Sequence, residues 1–148
     1  MRKNPQPHRM ITIEEALEGS TPLAQKVRGR GPFADSETMI AAMRAALPSL
    51  SEEEKIATLN AHPRIGESPA RLSARSLQEQ GADLLPELEA LNAEYEQRFG
   101  FRFVVFVNRR PKQEIIKVLR ERLGRSREEE LETGLEAIVD IAQDRLRS

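Results

Sequence analysis

A chain of 148 residues is the length of one domain and can bury a core without disulfides or metal staples. Charged residues make up 32% and apolar ones 39%, the balance of a folded globular protein, and the net charge of −1 gives nucleic acid or an anionic membrane no general attraction. With no cysteine, disulfides, thiolate nucleophiles and cysteine-ligated metal centres are excluded.

Residues 1–10 are polar, carry two prolines and lack the apolar stretch of a secretory signal, so they are expected to be a flexible leader. The helical domain is expected over 11–148. No apolar run reaches the ~18 residues of a membrane span, and the final residues, Asp144 to Ser148, are not a peroxisomal Ser-Lys-Leu address. A cytoplasmic location is expected.

From residue 11 onward the pattern is a succession of short helices. Thr12, Ser51, Ser76 and Ser126 are each followed three residues later by a glutamate, Glu15, Glu54, Glu79 and Glu129. That is the capping-box spacing, in which hydroxyl and carboxylate satisfy backbone N–H groups at a helix start. Prolines at 22, 48, 69, 86 and 111 fall between helical patterns or at their first turns, where a missing N–H costs little. Helices are predicted at 12–18, 22–28, 36–47, 51–61, 69–75, 77–82, 86–99, 111–123 and 126–146. The fold class is all-α, a single compact domain of about eight or nine short helices. The last helix is the clearest, because Leu131, Leu135, Ile138 and Ala142 form one apolar stripe.

One segment resists this scheme. Phe101-Arg102-Phe103-Val104-Val105-Phe106-Val107 is aromatic and β-branched, and propensity alone makes it a strand. A lone strand in a helical chain has nothing to pair with, except across a dimer. The segment is expected to be buried and central, with surroundings that override propensity.

Few residues offer chemistry. Of two histidines, His8 falls in the leader and His62 directly follows the helix over 51–61. Pro63 disfavours helical geometry at the residue before it, so that helix should end near His62. The negative end of its dipole would favour a protonated imidazole. Two readings stand: a solvent-facing capping histidine, or an acid–base group projected from a fixed corner. Ser76 and Glu79 are explained by capping, as in the three sibling pairs, unless Glu79 turns into a cleft as an acceptor or base. Arg145 extends the apolar stripe by three residues. A buried arginine needs an internal carboxylate or an anionic ligand, whereas one at a frayed end could snorkel to water. One usable histidine without cysteine supports no transition-metal cluster, and no cofactor is expected.

Several motifs in order resemble the OHCU (2-oxo-4-hydroxy-4-carboxy-5-ureidoimidazoline) decarboxylase family. They are His62-Pro63-Arg64-Ile65-Gly66; Ser76-Leu77-Gln78-Glu79-Gln80; the run from Leu91-Asn92 through Tyr95 to Phe99-Gly100-Phe101; Arg122-Leu123 with Glu130; and Ile141-Ala142 with Arg145-Leu146. Arg102 departs from a segment that often reads Phe-Pro-Phe, and Asp144 from a usual leucine. The resemblance implies a cofactor-free decarboxylase of urate degradation that yields S-allantoin from a small anionic ureidoimidazoline. It also implies a homodimer, with no nucleic-acid or membrane partner. It assigns catalysis to His62, Glu79 and Arg145, and substrate binding to Pro63, Ser76, Gln80, Phe103, Val104 and Val105. The competing expectations are a same-fold enzyme acting on a related ureido acid and a non-enzymatic helical adaptor.

Overall fold

Hydroxyl-capped turns set the helix starts, as the spacing predicts. In a computed structural model that describes residues 11–65 and 86–147, Thr12 Oγ1 accepts from the Glu15 N–H at 3.1 Å while Glu15 returns a carboxylate to the Thr12 N–H at 2.8 Å. The same reciprocal pair closes at Ser51–Glu54 and at Ser126–Glu129. The fourth pair, Ser76–Glu79, and the helices expected over 69–75 and 77–82 lie outside the described residues, as does the expected leader.

Among the described residues the chain forms seven α-helices, one 3-10 turn and no strand. They are α1 (Ile13–Leu17), α2 (Pro22–Arg28), α3 (Ser36–Ala46), the 3-10 turn (Leu47–Ser49), α4 (Glu52–Asn60), α5 (Pro86–Phe99), α6 (Lys112–Arg122) and α7 (Arg127–Arg147). Pro22 and Pro86 open α2 and α5, and Pro111 is the N-cap of α6. The all-α class stands.

Helix α7 is the axis of the fold, packing against α1, α3 and α4, while α2 joins α3 to α4 and α5 lies on α6. Its expected stripe of Leu131, Leu135, Ile138 and Ala142 is buried. Gly134, Ala137, Val139 and Ile141 are buried too, because helices cover α7 on more than one side. At Gly134 the approach of α4 is so close that an added Cβ would stand 2.8 Å from Leu59 Cδ2.

The strand-like run over 101–107 is extended but joins no ladder. Phe101, Phe103, Val104 and Val105 are buried, and Tyr95, Phe99, Phe101 and Phe103 make one aromatic cluster with ring centroids 4.6–6.1 Å apart. Such tilted and edge-on contacts suit the ring quadrupoles. A buried extended chain still needs partners for its amides and carbonyls. Side chains supply them: Asn60 Oδ1 accepts from the Arg102 N–H at 2.9 Å, Arg122 donates to the Val104 carbonyl at 2.9 Å, and Arg110 donates to the carbonyls of Phe106 and Val107. Local propensity is therefore satisfied by extension, and arginines take the place of a neighbouring strand.

Arg122 also pairs with the fully buried Glu130 at 2.7 Å, lies 4.6 Å over the Phe103 ring, and shares Glu130 Oε1 with the Tyr95 hydroxyl, which donates at 2.6 Å. Burial and the carboxylate beside it push the Tyr95 phenol well above its ordinary range. The Arg122 and Glu130 motif thus braces the aromatic cluster from inside.

A buried imidazole beside an arginine–glutamate pair

Helix α4 ends at Asn60, and the His62 N–H closes the last turn on the Leu59 carbonyl at 3.1 Å, so the corner predicted from Pro63 is present. Its environment corrects the sequence reading. His62 is only 3% exposed, not a surface cap, and burial pushes its pKa down to about 4. The Glu18 charge opposes that shift, the Arg145 charge adds to it, and the Thr58 carbonyl favours the charged form. Desolvation therefore outweighs the helix dipole, and the imidazole is neutral at physiological pH. Neither ring nitrogen makes a hydrogen bond among the described residues. Buried polar atoms left in this way usually answer to a role beyond packing.

Arg145 is the buried stripe arginine that the periodicity singled out, 3% exposed on the last turns of α7. Its partner is an internal carboxylate: Nη2 donates to Glu18 Oε1 at 2.8 Å and Nη1 to the Ala16 carbonyl at 3.2 Å. The snorkelling alternative fails, since the guanidinium turns into the protein.

Glu18 is the residue that sequence reasoning missed. It ends α1 at φ 63°, ψ 41°, a left-handed conformation that costs most non-glycine residues free energy on the order of 1–3 kcal/mol, and Gly19 follows at φ 109°. That reversal carries the chain from α1 to α2 and aims the carboxylate at α7. The only local signal is a glutamate directly before a glycine at a helix end.

The remaining expected residues divide. Pro63 is half-buried beside His62. Ser76, Glu79 and Gln80 lie outside the described residues. Phe103, Val104 and Val105 are buried in the extended segment, where the Val104 carbonyl is already taken by Arg122. That segment is tied to the histidine corner through Arg102, whose Nη1 donates to the His62 carbonyl at 2.9 Å. The Asn92 amide donates to the Ile65 carbonyl, fastening the same turn to α5. On its outer side, Asn60, Arg64, Glu96, Gly100, Phe101 and Arg102 line an open cleft of about 230 Å³. The two-pronged Arg64–Glu96 ion pair, 2.6 and 3.1 Å, occupies one wall of that cleft. No group of three or more His, Cys, Asp or Glu side chains arranged to hold a metal ion is found among the described residues.

The chain resembles known proteins in sequence and in fold. The OHCU decarboxylase family model matches residues 3–147. The chain is 30% identical over 139 residues to the 2-oxo-4-hydroxy-4-carboxy-5-ureidoimidazoline decarboxylase of Haloferax volcanii, covering 89% of this chain and 83% of that one. It is 31% identical over 147 residues to the protein of the same name from Amia calva, covering 92% and 84%. Among solved structures it resembles an OHCU decarboxylase crystallised in the presence of (S)-allantoin, with a TM-score of 0.70, 26% identity, and 90% and 92% of the two chains covered.

Proposed function

The chain belongs to the OHCU decarboxylase family, and on that premise we propose that it converts 2-oxo-4-hydroxy-4-carboxy-5-ureidoimidazoline to S-allantoin in urate degradation. The observation that carries the reading is the neutral, buried imidazole of His62, set beside a buried arginine. A helical adaptor has no use for such a group.

The substrate's chemistry says what the protein must supply. Its hydroxyl and carboxylate share one carbon next to a C=N bond, so loss of CO₂ leaves an electron pair that the C=N accepts. The substrate is its own electron sink. What remains is to orient the carboxylate, receive one proton and deliver another to one face.

His62 suits the first proton transfer as a base. A histidine poised near its reference pKa of ~6.5 would be partly charged at neutral pH, whereas one lowered to about 4 presents a free lone pair throughout that range. Arg145 holds an anionic or carbonyl oxygen of the substrate while its other donors stay on Glu18 and Ala16. Glu79 holds the ureido N–H groups, Ser76 and Gln80 assist it, and Pro63 with the backbone of Phe103–Val105 lines the ring. The enzyme works as a homodimer in the cytoplasm, on a small anion and not on nucleic acid or membrane. No described helix is long and apolar enough to cross a membrane.

The test is turnover of freshly generated substrate, made by oxidising urate and hydrolysing the first product, with S-allantoin followed by circular dichroism. Wild type should form the S enantiomer, and His62→Ala should be nearly inactive. Turnover by His62→Ala at the wild-type rate would remove His62 from the mechanism, and no acceleration by wild type would remove the function.

A further inference from the structure

The turn that carries His62 is held from outside by Asn92 at the Ile65 carbonyl and, nearer the imidazole, by Arg102 at the His62 carbonyl. The His62 N–H is fixed on the Leu59 carbonyl, and Pro63 has no N–H with which to secure the next peptide. The ring itself makes no hydrogen bond among the described residues. The backbone at His62 therefore helps to set its direction. Arg102 grips that corner twice, once on the backbone and once on a side chain. Its guanidinium donates to the His62 carbonyl at 2.9 Å, and its N–H donates to Asn60 Oδ1 at 2.9 Å, two residues upstream.

Arg102 is itself well placed to hold something still. Phe101 and Phe103 on either side are 2% and 1% exposed and pack edge-on against Tyr95 in the aromatic cluster. The Arg102 backbone is thus pinned to the core while its side chain crosses the wall of the 230 Å³ cleft to reach the histidine corner. Where the related motif has proline, both contacts vanish, since proline has neither an N–H nor a guanidinium.

We propose that Arg102 is a positioning residue for His62, fixing the peptide from which the imidazole projects; this rests on the assignment of His62 to the decarboxylation. The charge of Arg102 is not among the influences that move the His62 pKa, which are burial, Glu18, Arg145 and the Thr58 carbonyl. Arg102 thus acts through geometry, and its loss should lower the rate without moving the pH profile. Displacing a reacting group by a fraction of an ångström is enough to cost about tenfold in rate.

The experiment compares Arg102→Met and Arg102→Gln, both of which keep the N–H to Asn60, with Arg102→Lys, His62→Ala and wild type. Turnover number, KM, pH profile and thermal midpoint are measured on freshly generated substrate. The expected result is a roughly tenfold fall in kcat for Met and Gln, KM within about twofold, an unmoved acidic limb, and partial recovery with Lys. Either neutral variant, folded and turning over at the wild-type rate while His62→Ala is inactive, overturns the positioning role and leaves the His62 assignment standing. A change confined to KM, or a shifted acidic limb, also overturns it. Wild-type turnover by His62→Ala overturns both.

Discussion

Glu18 and Arg145 are 127 residues apart in sequence and 2.8 Å apart in space, and the contact joins the end of α1 to the end of α7 beside His62. Both side chains are nearly dry, at 2% exposure for the arginine and 10% for the glutamate. Removing one partner of such a pair strands the other charge. Glu18→Gln should therefore lower unfolding free energy by about 3–5 kcal/mol in urea titration. It should also lower the His62 pKa further, because the anion that favours the imidazolium is gone. Arg145→Met should move that pKa the opposite way. Histidine ring chemical shifts followed against pH measure both signs.

Stability should depend on pH through His62 in a definite window. Its folded pKa is about 4 against an ordinary 6.5, so between those values the unfolded chain binds a proton that the folded chain does not. Stability is then complete above pH 6.5 and falls as pH drops toward 4, by up to on the order of 3 kcal/mol. Urea midpoints measured from pH 7.5 to 4.5 should slope downward for wild type, and His62→Gln should flatten that part of the slope. In the free enzyme, kcat/KM should stay level through pH 6.5 and decline only toward pH 4 to 5. A limb centred at 6.5 would mean that the imidazole is wet.

A second buried pair, Arg122–Glu130, makes a prediction about coupling. Glu130 is fully buried, accepts from Arg122 and Tyr95 at one oxygen and has the half-exposed Arg125 3.1 Å from the other, so Arg122→Met removes its one buried cation. The single variant should lose about 3–5 kcal/mol. Arg122→Met combined with Glu130→Leu should recover much of that loss, because no buried charge remains at the site and Arg125 can turn to water. Additive losses in the double variant, read by chemical denaturation, would show that the two residues are not coupled.

Gly134 makes a steric prediction. Its added methyl would meet Leu59 Cδ2 at 2.8 Å, and Leu59 is fully buried, three residues before His62. Gly134→Ala should cost about 1–3 kcal/mol, although alanine is the better helix former. An upward shift in thermal midpoint would show that Leu59 yields freely.

Much of the fold was legible because its signals are local. The reciprocal caps at Thr12, Ser51 and Ser126, and the prolines at 22, 86 and 111, act within one turn of the residues that reveal them. Arg145 was legible for a similar reason, as a charge where the stripe was due an apolar side chain. Glu18 was not, because its meaning lies wholly in a partner at the far end of the chain. The charge state of His62 was not legible on the same ground: the helix end is written in the sequence, but the burial that overrides its dipole exists only in the folded chain. Tyr95, Arg122 and Glu130 stood out only as pieces of a familiar pattern, and the structure supplies the reason for them.

The arginines that serve the extended run over 101–107 have a consequence beyond architecture. Phe-Arg-Phe-Val-Val-Phe-Val is the stretch of this chain best suited to stack into cross-β fibrils, being aromatic, β-branched and free of proline. Arg122 and Arg110 occupy the carbonyls of Val104, Phe106 and Val107, where a strand from another molecule would otherwise dock. The same guanidinium groups that complete the native hydrogen bonding thus act as gatekeepers against aggregation, and the part that Arg122 supplies ends whenever α6 lets go of the segment.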